Sequence, residues 1–480
     1  MLSFEVAAAS NGLTLNHSKC EIFGLDESQR AEWAGSGLSF QERSPAEATF
    51  LGSPLSLSAT STSLRECRSQ LIKGKSRLLQ MHSHEAFFLL CNSLGVPRLQ
   101  FLLRPVPCCL SEELKPFEEE LRLILEAIAN IQLSPEAWRQ ASLPVRWGGV
   151  GLRGPTSLAP SAYLASLNSS ASLLGLLLPP LLQEHSDGLV ARVTERWVSL
   201  SGSACPAGQD ASRQRAWDDG ICHALSSELL QQAGSVDRAR LLASTSPGSG
   251  AWLQAFPSVN LGLRLGRNEL RVAIGLRVGA PLVRAHRCLC GAEVDRLAHH
   301  GLSCRRSAGR HRRHAWANDA ILRAIRSTNT HAELELPRLL RSDGKRPDGA
   351  TLDPWTGGRY LVWDFTCPDT LAHSHLTSSM TGAGGAAQAA ESRKVTKYQE
   401  LVASGDFLFA PVAIETLGTW GPSAIALCQD LGARIAQVTG DPRSLAFLKQ
   451  RLSLAVQRGN AASVLGTHSQ SMELQDLQGT

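Results

Sequence analysis

Two groups of side chains in this 480-residue chain have the types and spacing to do chemistry. The first lies in "HRCLCGAEVDRLAHHGLSC", which offers Cys288, Cys290, His299, His300 and Cys304 inside seventeen residues. Tetrahedral zinc takes four thiolate or imidazole ligands, and two short ligand pairs joined by a loop can close around it. Cys288 with Cys290 makes one pair, although a Cys-x-Cys gap is tighter than the usual one. A histidine with Cys304 makes the other: His300, three residues before the cysteine, is the first choice and His299 the alternative. Four protein ligands leave no open position, so such a zinc is structural.

The second group lies in "GKRPDGATLDPWTGGRYLVWDFTCPDT", Gly344 to Thr370, which holds four aspartates. "RPDGATL" and "RYLVWDFT" read as strands joined by "DPWTGG", a loop dense in turn residues. A hairpin folded about Thr356 sets Asp348 opposite Asp364, with Cβ atoms about 5 Å apart. Two carboxylates so placed repel, and a cation between them relieves the cost. Asp364 also interrupts the apolar run "YLVWDF". An oxygen-ligated Mg²⁺ or Mn²⁺ accounts for both facts. Asp353 and Asp369, like Asp343 just upstream, read as turn residues. Downstream, "AAQAAESRKVTKYQEL" (Ala386 to Leu401) reads as a helix carrying Lys394 and Lys397, either of which could orient an attacking water or stabilise charge on a phosphate.

Around these groups the charge is uneven. Net charge is only +5, yet Arg284 to Arg326 holds ten arginines, no lysine and three acids, a local +7. Arginine in such density suits phosphate oxygens, which its planar fork binds two at a time. "RRSAGRHRRHAWANDAILRAIR" reads as a helix with Ala317, Ile321 and Ile325 on its apolar side. Arg305, Arg306, Arg310, Arg312, Arg313 and His314 sit near its start, with Arg346 further on, as candidates for a nucleic-acid backbone. The first residues, "MLSFEVAAASNG", have no basic region before an apolar core, so no secretory signal is expected. "LLGLLLPPLL" (Leu173 to Leu182) is too short for a membrane span and is broken by two prolines. Twelve cysteines are too sparse for a disulfide scaffold, and an intracellular, reducing compartment is expected.

The elements that must carry these residues are mostly helical. "GSPLSLSATSTSL" (Gly52 to Leu64) reads as a loop or linker. "SEELKPFEEELRLILEAIANI" reads as an amphipathic helix, with Phe117, Leu121, Ile124, Ile128 and Ile131 on one stripe and Ser111 as cap. "LPVRWGGVGLRGP" breaks the pattern with glycines. The main boundary is expected near Gly248, and "LFAPVAIETLGTWG" reads as a buried strand ending in a turn.

This order of motifs resembles the PD-(D/E)XK restriction-like endonuclease domain at the C-terminus of site-specific non-LTR retrotransposon polyproteins. There a Cys/His zinc knuckle precedes an arginine- and histidine-rich helix, an (R/K)PD motif, a second acid on the next strand, and a Lys/Tyr helix. Cys288 through Cys304, His311 to His314, Arg346-Pro347-Asp348, Asp364, and Lys394 to Tyr398 carry the likeness over about Ala251 to Thr467. "GLTLNHSKCEIFG", "LLCNSLGVPRLQFLLRPVP" and "LPVRWGGVGLR" resemble reverse-transcriptase segments after the palm carboxylates. The polymerase Asp-Asp motif is missing, because the only Asp-Asp, Asp218-Asp219, lacks its lead-in.

The resemblance implies an α+β chain. Residues 1–60 would be a palm remnant, 61–247 a helical thumb-like and linker region, and 248–326 an arginine-rich zinc-knuckle segment. Residues 327–467 would be an α/β nuclease domain with a mixed sheet, and 468–480 a disordered tail. It implies an Mg-dependent DNA endonuclease without polymerase activity, or else a zinc-supported nucleic-acid binder whose nuclease has decayed. DNA is the implied partner, with RNA for the parent element, no membrane, and a nuclear location in a eukaryote. Family nucleases often carry a lysine two residues after the second acid, where this chain has Thr366. The resemblance therefore promotes Lys394 and Lys397. Glu335 would be the upstream acid, with Glu333 competing.

Overall fold

The computed structural model describes residues 2–16, 19–34, 41–177, 187–307, 309–336 and 346–468. Asp343, the end of the apolar run at Leu173 to Leu182, and all of the tail but His468 lie outside them. The class is α+β: mostly helix, with small sheets. Two compact units emerge, Met1–Lys73 with Arg98–Glu120 and Pro155–Asp218, and Gly74–Pro97 with Leu121–Gly154 and Asp219–Thr480. Gly248 lies inside the second unit.

In the stretch expected as a linker, a helix starts instead: α1 spans Leu57–Gln80. The serines and threonines that suggested a loop are consumed locally. Ser56 Oγ caps the Ala59 N–H at 3.0 Å, and Thr60 and Thr62 hydroxyls bond back to carbonyls four residues earlier. Leu64, Leu71 and Leu78, seven apart, are buried. The amphipathic helix forms as α2, Leu114–Ala129; it carries Phe117, Leu121, Ile124 and Ile128, with Ile131 just past its end, and all five are buried. Each such side chain contributes about 1.5–3 kcal/mol on burial. Ser111 Oγ accepts the Glu113 N–H at 3.3 Å just ahead of it.

The first unit is built partly on α3, Pro155–Leu177. Glu118 caps its start, accepting the Thr156 N–H at 3.0 Å. Trp197 and Trp217 meet edge to face at 4.9 Å, and the Trp197 indole donates to the Trp217 carbonyl. Ser83–Leu103 is long and apolar enough to cross a membrane by length and composition alone. Its Ala86, Phe87 and Leu90 are packed inside, as in a core helix.

The second unit also holds α4 (Arg267–Val278), α5 (Gly309–Arg326) and a four-stranded mixed sheet. Its strands are β1 (Ala332–Leu334), β2 (Gly349–Thr351), β3 (Tyr360–Thr366) and β4 (Phe407–Ala413), in the order β4-β3-β2-β1. Pairs β1–β2 and β2–β3 are antiparallel, and β3–β4 is parallel. Gly357 and Gly358 close the β2–β3 hairpin at φ +59° and +78°, a region where only glycine is unstrained.

Alternation along β3 splits the sheet's two faces. Leu361, Trp363 and Phe365 join a core with Ile321 and Ile325 of α5, and with α7 (Pro422–Thr439) and α8 (Ser444–Leu465). Val362 faces the other way, into a cluster with Tyr398 and Leu401. There the expected Ala386–Leu401 helix is broken into α6 (Gly385–Lys397) and a short turn of helix after it. Tyr398 makes the break, because its hydroxyl reaches the Arg346 carbonyl at 2.7 Å.

Helices α5 and α8 approach closely because glycines line the seam. A Cβ on Gly459 would lie 2.4 Å from Arg313 Cβ, and one on Gly309 2.2 Å from the Ser463 nitrogen. Gly459→Ala should therefore destabilise the chain by about 1–3 kcal/mol. Gly74→Ala, in open space inside α1, should instead stabilise it by about 0.5–1 kcal/mol. Thermal denaturation of the two variants checks both signs.

Candidate metal centre and carboxylate cluster

Cys288 sits at the tip of a two-residue antiparallel ladder, His286–Arg287 against Glu293–Val294. Its N–H donates to Ala292 O at 2.8 Å, and Gly291 turns the chain at φ +92°. That tight turn lets a Cys-x-Cys gap present both sulfurs together. His300 and Cys304 span one short helical turn, His300–Ser303 with Cys304 as its cap, so an i, i+4 spacing puts both on one side. The ligand atoms of Cys288, Cys290, His300 and Cys304 all lie within 4.8 Å of one another. Cys288 and Cys304 sulfurs are 3.7 Å apart, and Cys290 Sγ lies 3.2 Å from His300 Nε2. A zinc tetrahedron with Zn–S bonds of about 2.3 Å has edges of about 3.8 Å. The group could hold zinc.

His299, the alternative ligand, is not in the group; burial lowers its pKa, and it faces Asp295 and Asp369. The Cys290 thiol is drawn down to about 7, chiefly by the Ala292 N–H, while burial pushes Cys288 up to about 11. One zinc per chain is expected by elemental analysis. Cys304→Ser should lose it, and His299→Gln should keep it.

The hairpin register is the one read from the sequence. Gly349 pairs with Trp363 and Ala350 with Val362, so one step outward sets Asp348 opposite Asp364. The Asp348 N–H donates to Trp363 O at 3.1 Å, and its carbonyl accepts the Glu335 N–H at 2.9 Å. Leu334 pairs with Gly349, so Glu335 extends the same row, whereas Glu333 lies opposite Ala350. Glu335 is exposed and holds φ +51°.

The two carboxylates find separate cations. Asp348 turns toward α5, where its Oδ2 meets His314 Nε2 at 2.9 Å, Asn318 Nδ2 at 3.0 Å and the Phe365 N–H at 2.6 Å. Asn318 in turn accepts from the Trp363 indole at 3.0 Å. Asp364, buried, faces α6: Lys394 Nζ lies 2.5 Å from its Oδ1 and Lys397 Nζ 3.9 Å from its Oδ2. Lys397 also donates to the Tyr398 hydroxyl at 2.8 Å. His314 feels Asp364 and Lys394 as well as Asp348, so the four groups form one electrostatic cluster. Asp348 Oδ1 keeps no hydrogen-bond partner among the described residues and Asp364 Oδ2 has only the more distant lysine.

Sequence reading missed the His314–Asp348 pair and assigned His314 to nucleic acid alone. It also placed Arg313 on the DNA face, and that is corrected: Arg313 is buried, donating to Asn460 Oδ1 at 2.6 Å and to Leu302 O at 3.1 Å. The signal was available, since 313, 317 and 321 share one face of a helix. Arg305, Arg306, Arg310, Arg312 and Arg346 are exposed, with Arg306 Nη1 holding the knuckle's Leu289 carbonyl at 2.9 Å. Asp353 and Asp369, expected as turn residues, bond beyond their own turns: Asp353 accepts the His331 N–H twenty-two residues earlier, and Asp369, buried, accepts the Thr416 hydroxyl as well as the Leu371 N–H.

No protein-family model matches the chain, and no curated protein matches it.

The hydrogen bond that His314 donates to Asp348 raises the His314 pKa above its ordinary value. Burial works against the Asp348 charge, but His314, Asn318 and the Phe365 N–H outweigh it, so its pKa falls. The raised histidine contributes stability that is full below its unfolded pKa and lost as pH rises through the folded one. The depressed aspartate contributes above its unfolded pKa and loses it as pH falls. The pair thus stabilises the metal-free chain most between the two unfolded values. His314→Gln should lower the melting temperature more at pH 5 than at pH 9; equal losses at both would contradict the pair.

Proposed function

We propose that this chain cuts DNA as a metal-dependent endonuclease, with Asp348 and Asp364 as ligands of Mg²⁺ or Mn²⁺. The observation that carries the reading is the β2–β3 register, which one step on sets Asp348 opposite Asp364, with Lys394 against Asp364. Asp348 and Asp364 would hold the divalent cation, which would supply Lewis acidity toward a water and toward the departing oxygen. Lys394 holds a positive charge beside Asp364, where it can orient the water or meet charge developing on the phosphate. Lys397, tied to the Tyr398 hydroxyl, is the weaker candidate. Thr366 follows the second acid by two residues, so the lysine role falls to α6.

The zinc knuckle and the exposed arginines around it would seat the DNA backbone. The sequence resemblance supports a retrotransposon origin, with the helices between residues 61 and 247 as thumb-like and linker segments and residues 1–60 as a palm remnant. Polymerase activity is not part of the proposal, RNA would be a partner of the parent element, and the site of action would be the nucleus of a eukaryote.

A second reading is favoured by a specific feature: both acids already have cationic partners, and Thr366 replaces a lysine. It makes the chain a zinc-supported nucleic-acid binder without cleavage, whose affinity falls steeply with salt. Nicking of supercoiled plasmid by the full chain with Mg²⁺ or Mn²⁺ separates the two. The nuclease reading expects nicking, reduced at least about a hundredfold in Asp348→Asn and Lys394→Gln, in variants verified as folded by circular dichroism. Undiminished cutting by Asp348→Asn would sink the assignment.

A further inference from the structure

Beside the carboxylate cluster lies a cavity of about 380 Å³, lined by Arg305, Arg310, His311, Arg313, His314 and Thr366 among others. No carboxylate is among the described residues that line it. Arg313 closes one wall with its guanidinium already committed to Asn460 and Leu302. Arg305, Arg310 and His311 are exposed, and none of the three has an acidic partner among the described residues. Arg305 directly follows Cys304, so closure of the zinc group fixes where that arginine starts. His314 links the cavity to the acids, lining it while its Nε2 reaches Asp348.

The exposed guanidinium groups of Arg305 and Arg310 gather on one side of the concavity, away from the Asp348 that His314 holds, and the potential they create draws an anion. Arginine's fork matches phosphate oxygens in pairs. The volume exceeds that of one phosphate, and the Phe365 and Cys367 walls leave room for an attached sugar. The geometry points to a phosphate-ester subsite in which Arg305, Arg310 and His311 grip one phosphate of a nucleic-acid strand next to Asp348. That phosphate is either an internal diester or a 5′-terminal monoester. The nucleic-acid identity of the ligand rests on the nuclease reading; the anion site does not need the metal.

The test is fluorescence anisotropy of a short single-stranded oligodeoxynucleotide with the full zinc-loaded chain, at low salt and without added divalent cation. Under these conditions loss of cleavage and loss of the subsite are seen separately. Arg310→Gln and Arg305→Gln should each weaken binding about tenfold. Arg323→Gln, on the same helix but paired with Asp319 and outside the cavity, should change it less than about twofold. A probe bearing a 5′-phosphate that binds more tightly than its unphosphorylated twin, with the gain lost in Arg310→Gln, assigns the terminal monoester. Equal affinity of the two probes, with the arginine losses intact, assigns the internal diester. Affinity unchanged in both cavity variants, or lowered equally by Arg323→Gln, overturns the subsite.

Discussion

Two carboxylates set opposite each other on adjacent strands cannot both stay ionised in a sparsely hydrated sheet unless positive charge is brought to each. Much of the second unit can be understood from that constraint. Asp364 is buried and Asp348 nearly so, and each is answered by a cation from a different helix: His314 from α5 and Lys394 from α6. The helices lie on opposite sides of the sheet, so the hairpin holds its acids in register while their charges are met from both faces. His314 is half exposed, so its pair with Asp348 is partly screened by solvent; Asp364 is buried, and removing Lys394 leaves its charge with only the more distant Lys397.

Holding those helices in place falls to groups outside the cluster. Glycines let α5 lie against α8, and Arg313 ties the seam through Asn460. Helix α6 is tied down at its start and its middle. Glu415 accepts the Ala387 N–H at 2.9 Å near its start, and Glu391, midway along it, accepts the Ser423 and Ala424 N–H groups that open α7. Burial pushes both glutamates upward in pKa, and backbone donors pull them back. Each thus satisfies helix-terminal N–H groups that would otherwise be buried without partners. The Cys/His group plays the same part for the arginine segment, closing a loop that a local ladder of only two residue pairs could not hold alone.

What could be read in advance was local. The Cys/His group declares itself because its four residues fall within one turn and one helical step. The aspartate register follows from the mirror positions of 348 and 364 about a Gly-rich turn. Helix α2 was legible because its stripe repeats every three to four residues. What escaped depends on partners far along the chain. His314 finds Asp348 thirty-four residues on, and nothing in "RHRRHAW" marks which histidine will turn inward. Glu391 and Glu415 look like ordinary helix and strand-end acids until α6, α7 and β4 are packed together. The error at Ser56 to Leu64 was one of composition: hydroxyl residues that favour loops also cap and line a helix when their apolar neighbours keep its period.

The central claim is that Asp348 and Asp364 together form a cation site and are not merely two neutralised acids. Mn²⁺ binding to the zinc-loaded full chain, followed by electron paramagnetic resonance of the free ion, tests it most directly. The account predicts bound Mn²⁺ in the parent and in Asp353→Asn, lost in both Asp348→Asn and Asp364→Asn. Equal binding in all four proteins, or none in the parent, would contradict it.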